Sequence, residues 1–284
     1  MGATAKTLLL MGVMTGLLGA LGYLFLGGLT GLIFFVVLAG AFNFAAYWFS
    51  DKLALRMAGA HEVTADEAPR LHRVVEDVLS MTKLPMKPKV YLIQNPSPNA
   101  FATGRNPKHA VVAATTGIMD LLDDRELKGV MAHELGHVGN RDILIGSIAA
   151  VLAGAISWIT TSMMFSMFFG RRNNENAALA LLAIILMPIA ASIVQMTISR
   201  TREYEADKTG ARTTHDPDAL ADALAKLHQG AMMRPMQVNP SQAHMYIVNP
   251  LAGFKGQNFS NLFSTHPPIE ERISRLRQMA RRGV

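Results

Sequence analysis

The sequence predicts a mainly α-helical integral membrane protein, with four transmembrane helices in two hairpins and an α+β domain on the cytoplasmic side. Three observations carry this. Thr7 to Ser50 is a run of 44 residues without Asp, Glu, Lys, Arg or His; two further uncharged runs extend from Ile143 to Gly170 and from Asn176 to Ser199; and the charged residues gather in the segments between and after them. Of the 284 residues 50% are apolar and 17% charged, against about 25% charged in an ordinary soluble domain.

A helix crosses a bilayer in about 20 residues, so the first run holds two crossings. The Gly27-Gly28-Leu29-Thr30-Gly31 stretch supplies a turn between helices over roughly 6–26 and 31–50. The run is far longer than the apolar stretch of a secretory signal, about 7–15 residues. The second and third runs each span once, separated by Arg171-Arg172-Asn173-Asn174-Glu175, and Pro188 in the third is tolerated as a kink. A buried core helix is the alternative for either run, but such helices are shorter and keep a polar face. Lys6, Lys52, Arg56, Arg141, Arg200 and Arg202 flank one side of the spans, which puts both termini and the polar segments in the cytoplasm, with Arg171 and Arg172 weighing the other way. The chain divides into an N-terminal hairpin (1–50), a first cytoplasmic part (51–142), a second hairpin (143–199) and a second cytoplasmic part (200–284).

In the first cytoplasmic part, Thr64-Ala65-Asp66-Glu67 fits a capping box opening a helix to about Met81, with Leu71, Val74, Val75, Val78 and Leu79 on one face. Lys89–Gln94 and His109–Thr115 read as strands, joined by an Asn/Pro/Ser/Gly-rich segment that includes Asn99-Ala100-Phe101-Ala102. Asp123-Asp124-Arg125-Glu126 places acids in the first turn of a helix reaching residue 138 or beyond. The second part is mostly helical: Asp216-Pro217 forms a cap and first residue before Leu220, Leu224 and Leu227. Residues 230–263, rich in Gly, Pro, Asn, Gln and Met without a period, read as a long loop of lid or membrane-surface type.

His133-Glu134-Leu135-Gly136-His137 is an H-E-x-x-H pattern. On a helix its two imidazoles, four apart, leave one face, and Glu134 stands beside whatever metal they hold. This composition would produce the pattern by chance about 0.01 times. There is no Cys, so thiolate ligands, a catalytic thiol and disulfides are excluded. A catalytic zinc takes a third protein ligand. The position ten residues after His133, where a third histidine would stand in one large class of such enzymes, is Ile143. The third ligand therefore comes from elsewhere, and Arg202-Glu203-Tyr204-Glu205-Ala206-Asp207 offers Glu203 and Asp207 on one helical face with Glu205 opposite. His137 stands about 9 Å of helix before the third span and Glu203 about 6 Å after the fourth, so an antiparallel hairpin brings them to one height. The expected ligands are His133, His137 and Glu203 on one Zn2+ per chain. Glu134 is the expected general base, and Asp207 the carboxylate orienting an imidazole. The bland alternatives are a solvated Glu203 paired with Arg200 or Arg202, and a surface Glu205.

Together with four spans in a two-plus-two arrangement, HELGHVGNRD at 133–142, SRTREYEAD at 199–207 and STHPPIEER at 264–272 resemble the integral-membrane zinc metallopeptidases that include the CAAX prenyl protease, most closely their bacterial heat-shock members. The resemblance covers essentially the whole chain. It implies a zincin-like (gluzincin) protease domain and a multi-pass endopeptidase of the bacterial inner membrane, with its site facing the cytoplasm. Its implied partners are misfolded or damaged membrane proteins and the lipid bilayer. It also implies that His266 stabilises the tetrahedral intermediate, that Arg272 is a charge partner in the site, of Asp207 for example, and that Asn99, Ala100, Phe101 and Ala102 with the following strand present an edge to substrate. On the residues alone, His266 is equally a helix-capping neighbour and Asn99–Ala102 an ordinary turn. His61, His72, His109, His215, His228 and His244 lack ligand spacing and read as surface or interface residues.

A transporter is disfavoured because the spans carry no ionisable group, and a zinc scaffold without catalysis because Glu134 is present. Nucleic acid is disfavoured as a partner although Lys and Arg outnumber Asp and Glu 27 to 21, because the basic residues flank spans or sit in the C-terminal helix without interleaved aromatics. The oligomeric state is not legible.

Overall fold

The computed structural model describes residues 3–25, 28–140, 142–169, 200–251, 253 and 267–283. The fourth expected span (176–199), the Arg171–Glu175 loop, Arg141 and His266 lie outside these residues.

Helices α1 (Ala3–Phe25) and α2 (Gly28–Met57) pack as an antiparallel pair, and α6 (Ile143–Phe169) lies against both. Leu10, Met14, Ala46, Ile148 and Leu152 form the seam between the three. A polar clamp joins α1 and α2: Asn43 Nδ2 donates to Thr15 Oγ1 at 2.9 Å and to the Met11 carbonyl at 3.2 Å. Such bonds hold helices together where burial of apolar surface does not discriminate. The outer face of α2 exposes Phe34, Val37, Phe44 and Trp48. Among the described residues α2 is the helix both long and apolar enough to cross a bilayer.

The polar part is a four-stranded sheet covered by helices. Its strands are β1 (Ala60–Glu62), β2 (Lys89–Ile93), β3 (Ala100–Gly104) and β4 (Ala110–Thr115), in the spatial order β1-β2-β4-β3. β2 and β4 run parallel, with Lys89 opposite Val111, and β3 returns antiparallel to β4, with Ala100 opposite Ala114. The central strand β4 is buried along its whole length. β3 stands at the edge, where the sequence reading had a loop: Ala100-Phe101-Ala102-Thr103-Gly104 is too short and too rich in small residues to show alternation.

Helix α3 (Pro69–Ser80) buries Leu71, Val74, Val75 and Val78, as expected, but begins later than Thr64. The Thr64–Glu67 capping bonds do form, with the Thr64 N–H 2.7 Å from Glu67 Oε2. Pro69 then forbids a helical Ala68, which sits at φ −137°, ψ 61°, so regular helix restarts at the proline. α4 (Thr116–Leu121) is a short helix absent from the sequence reading. α5 (Asp124–Gly139) is capped by Asp123 and Glu126 in a complete capping box. α7 (Arg200–Thr214) and α8 (Pro217–Met233) follow the uncharged segments, and α9 (Ile269–Arg281) packs on both. Within 230–263, Pro240–Met245 forms a 3-10 turn and residues 246–248 lie along the start of β3.

α5 is the most enclosed helix, with α3 and the sheet on one side and α7 and α8 on the other. The α5–α7 crossing is very close at Gly210, where a Cβ would stand 2.8 Å from the His133 backbone nitrogen. Gly210→Ala should therefore force the two helices apart and destabilise the fold by about 1–3 kcal/mol, seen as a lowered Tm in detergent, with weakened metal binding. Unchanged stability and metal affinity would show that the crossing has slack.

Candidate metal centre

α5 brings His133 and His137 to one face, and its capping box fixes where that face begins. α7 presents Glu203 opposite. His133 Nε2 and His137 Nε2 are 3.2 Å apart, His137 Nε2 and Glu203 Oε1 3.5 Å, and His133 Nε2 and Glu203 Oε2 3.9 Å. Two donors about 2.0–2.1 Å from a tetrahedral ion lie about 3.3–3.4 Å from one another. The three side chains thus outline one face of such a tetrahedron, all their donor atoms within 4.8 Å of each other. The donor set, two imidazoles and a carboxylate, suits a borderline divalent ion.

Each imidazole is held from behind. His133 Nδ1 lies 2.9 Å from Asp207 Oδ1, and His137 Nδ1 lies 3.6 Å from Asp142 Oδ2. Asp207 is in turn gripped by Arg272, whose Nε donates to Oδ2 at 2.9 Å and Nη2 to Oδ1 at 2.7 Å. Arg272 is fully buried, and its Nη1 also donates to the Ile247 carbonyl at 3.0 Å. Asp142 is approached by Arg202 at 3.1 Å.

In the metal-free protein, burial and the neighbouring charges set the protonation of these groups. Burial drives the His133 imidazole down to about 4 against the opposing pull of Asp207. Burial alone would lower His137 as well, but Asp142, Glu203 and Glu134 around it raise it to about 9. Glu134, 3% exposed, is pushed up to about 7, chiefly by burial and with Glu203 adding to the effect, while the Ala102 backbone N–H bonds the charged form and His137 opposes the rise. A carboxyl in that range can both take and return a proton near neutrality. Burial would raise Asp207 too, yet the Arg272 guanidinium holds it at about 2.

These groups open onto a cavity of about 80 Å³ between α5, α7 and the first turn of α6. Its far wall is His244, Met245, Tyr246 and Ile247. The sequence reading set His244 among surface or interface histidines, but it is 9% exposed and its Nε2 lies 3.2 Å from the Gly146 carbonyl. No ligand spacing marks it, because α6 and the 3-10 turn meet only in three dimensions. Asp142 was also without a role in the sequence reading; its one signal is a carboxylate just past the end of the helix that carries His137.

Of the expected substrate edge, Ala102 lines the cavity. Asn99 and Phe101 are buried, and the Asn99 amide is engaged with Val248, donating to its carbonyl at 3.0 Å. The Ala100 carbonyl accepts from Ile247 N–H at 3.0 Å, so the chain's own 246–248 segment occupies that end of β3. Glu205 is exposed, 3.8 Å from Lys208.

An H-E-x-x-H helix crossed by a second helix carrying the third donor, with an interior carboxylate beside them, defines a metallopeptidase. The chain belongs to peptidase family M48, whose family model matches residues 65–280. It is 52% identical to a "Protease HtpX homolog" of Persephonella marina, over 98% of both chains. It is 50% identical to a protein of the same description from Ralstonia pickettii, over 98% of this chain and 97% of that one. Among solved structures, S. mikatae Ste24p aligns with 85% of this chain at 17% identity and a TM-score of 0.45, and this chain covers 57% of that one. The protein is a metalloprotease.

The Asp207–Arg272 pair has a pH signature. In the metal-free protein its contribution to stability is complete above the ordinary carboxyl value of about 3.9 and is lost as the pH falls through about 2. Acid unfolding of Asp207→Asn should lack that component. A curve as steep as the wild type's between those values would show that Asp207 is not held in its charged form.

Proposed function

We propose that the protein is a zinc-dependent integral membrane endopeptidase that cleaves misfolded or damaged membrane proteins, with its site on the cytoplasmic side of a bacterial inner membrane. The observation that carries the reading is the convergence of His133, His137 and Glu203 on one point with the interior carboxylate of Glu134 beside them. When bound, zinc supplies a Lewis acid for the scissile carbonyl and brings a water's pKa towards neutrality. Glu134 takes the proton of the attacking water and delivers it to the leaving amine. Asp207 keeps the His133 proton on Nδ1 and so leaves Nε2 as the donor, and Arg272 keeps Asp207 charged. Asp142 places a negative charge 3.6 Å behind His137 Nδ1. His266 is assigned to the tetrahedral intermediate on the family resemblance.

Substrate binds as an added strand near Ala102, the part of the expected edge that borders the cavity. Backbone hydrogen bonds then supply most of the affinity, which suits an enzyme that must accept many damaged sequences. The apolar face of α2 and the seam that α1 and α6 make with it support insertion in the bilayer.

The test is protein purified in detergent under a chelator, then given stoichiometric zinc and casein. Glu134→Gln should bind zinc normally and cleave about 10²–10⁴-fold more slowly. His133→Ala, His137→Ala and Glu203→Ala should lose the metal itself, read by atomic absorption. Near-normal cleavage by Glu134→Gln would remove Glu134 from the mechanism, and full zinc content in Glu203→Ala would remove Glu203 from the ligand set.

A further inference from the structure

A second crevice, of about 540 Å³, lies beneath the turn between β3 and β4, away from the metal centre. Leu8 and Met11 of α1, Tyr47 of α2 and Leu144 of α6 form its apolar side, and Arg105 and Lys108 overhang the other. Among the described residues no acidic side chain lines it. Several basic side chains of the polar part meet carboxylates, as Arg70 meets Asp124, Arg125 meets Asp216 and Lys226 meets Glu126. Arg105 and Lys108 have no such partner among the described residues.

The overhang is built rather than loose. Gly104 sits at φ +140°, and a Cβ there would stand 2.3 Å from the His109 carbonyl oxygen, so the turn closes tightly on a glycine. Thr103 Oγ1 lies 2.5 Å from Ser147 Oγ, which ties the turn to α6. Asn106 Oδ1 accepts from Lys108 N–H at 3.0 Å. The Arg105 guanidinium lies 4.9 Å from the centre of the Trp48 ring, which sets its height at the end of α2. Trp and Tyr collect at the level of lipid headgroups, and Tyr47 and Trp48 mark that level here.

We propose that this crevice binds an anionic phospholipid, with Arg105 and Lys108 on the phosphate and the Leu8–Tyr47–Leu144 wall against the first carbons of the acyl chains. The inference rests on the reading that α1, α2 and α6 lie in a bilayer. A free phosphate would satisfy the two charges but leave the apolar wall uncovered, and that wall continues onto the exposed outer faces of the helices, where Leu8 is 66% exposed. The lipid fills both halves.

The experiment uses the full chain, kept under chelator, with Trp158→Phe so that Trp48 is the sole tryptophan of the two. It is reconstituted in bilayers containing brominated phosphatidylglycerol or brominated phosphatidylcholine, and quenching of Trp48 gives their relative affinity. Phosphatidylglycerol should be preferred, and Arg105→Gln and Lys108→Gln should each reduce the preference about fivefold. Lys108 is exposed on the turn, so its variant remains informative if Arg105→Gln does not fold. The preference should survive excess inorganic phosphate. Equal quenching by the two lipids, or a preference unchanged in both variants, would overturn the lipid site while leaving the chain embedded. A preference erased by phosphate would overturn the lipid as occupant, and absence of quenching by either lipid would overturn the membrane reading on which the site depends.

Discussion

The metal centre depends on one buried ion pair. Asp207 and Arg272 sit where neither is solvated, and each supplies the other's nearest opposite charge, with Glu203 a further 3.7 Å partner of Arg272. Their bidentate contact does more than cancel charge: Asp207 passes its orientation to His133, while the third arm of Arg272 fixes Ile247. Helices α5, α7 and α9 and the 246–248 segment are thereby tied to one carboxylate. A hydrophobic pair of similar volume would pack there without penalty, but it would leave His133 free to choose its tautomer.

The helix carrying the motif is placed by more ordinary means. Its start is set by Asp123 and Glu126, its distance from α7 by Gly210, and its burial by the core that α3, α8 and the sheet build around it. Ala102 of the edge strand faces the Glu134 carboxylate with its backbone N–H and also lines the cavity.

Much of this was legible in the residues. His133, His137 and Glu203 come together in space as their spacing and the chemistry of a metal ion suggested, the helices at 124–139 and 217–233 follow their caps, and those at 69–80 and 269–281 follow their apolar periods. β3 was not legible, because its small residues carry no period and its partners lie further along the chain. Nor was the inward turn of His244, which depends on a 3-10 turn meeting α6. Asp142 stood in view within the quoted motif, but its closeness to His137 arises only from how the chain leaves α5. Arg272 entered through resemblance alone, since a buried arginine on an amphipathic helix looks no different in sequence from the exposed Arg275 beside it.

The arginine that holds Asp207 comes 139 residues after the histidine whose ring Asp207 steadies. During synthesis His133 emerges long before it, with the uncharged runs 143–170 and 176–199 in between. Until residue 272 has left the ribosome and α9 has docked, Asp207 would be an unpaired charge in an apolar site and the His133 ring would lack its support. A nascent chain therefore carries the H-E-x-x-H pattern well before it carries the arginine that holds Asp207.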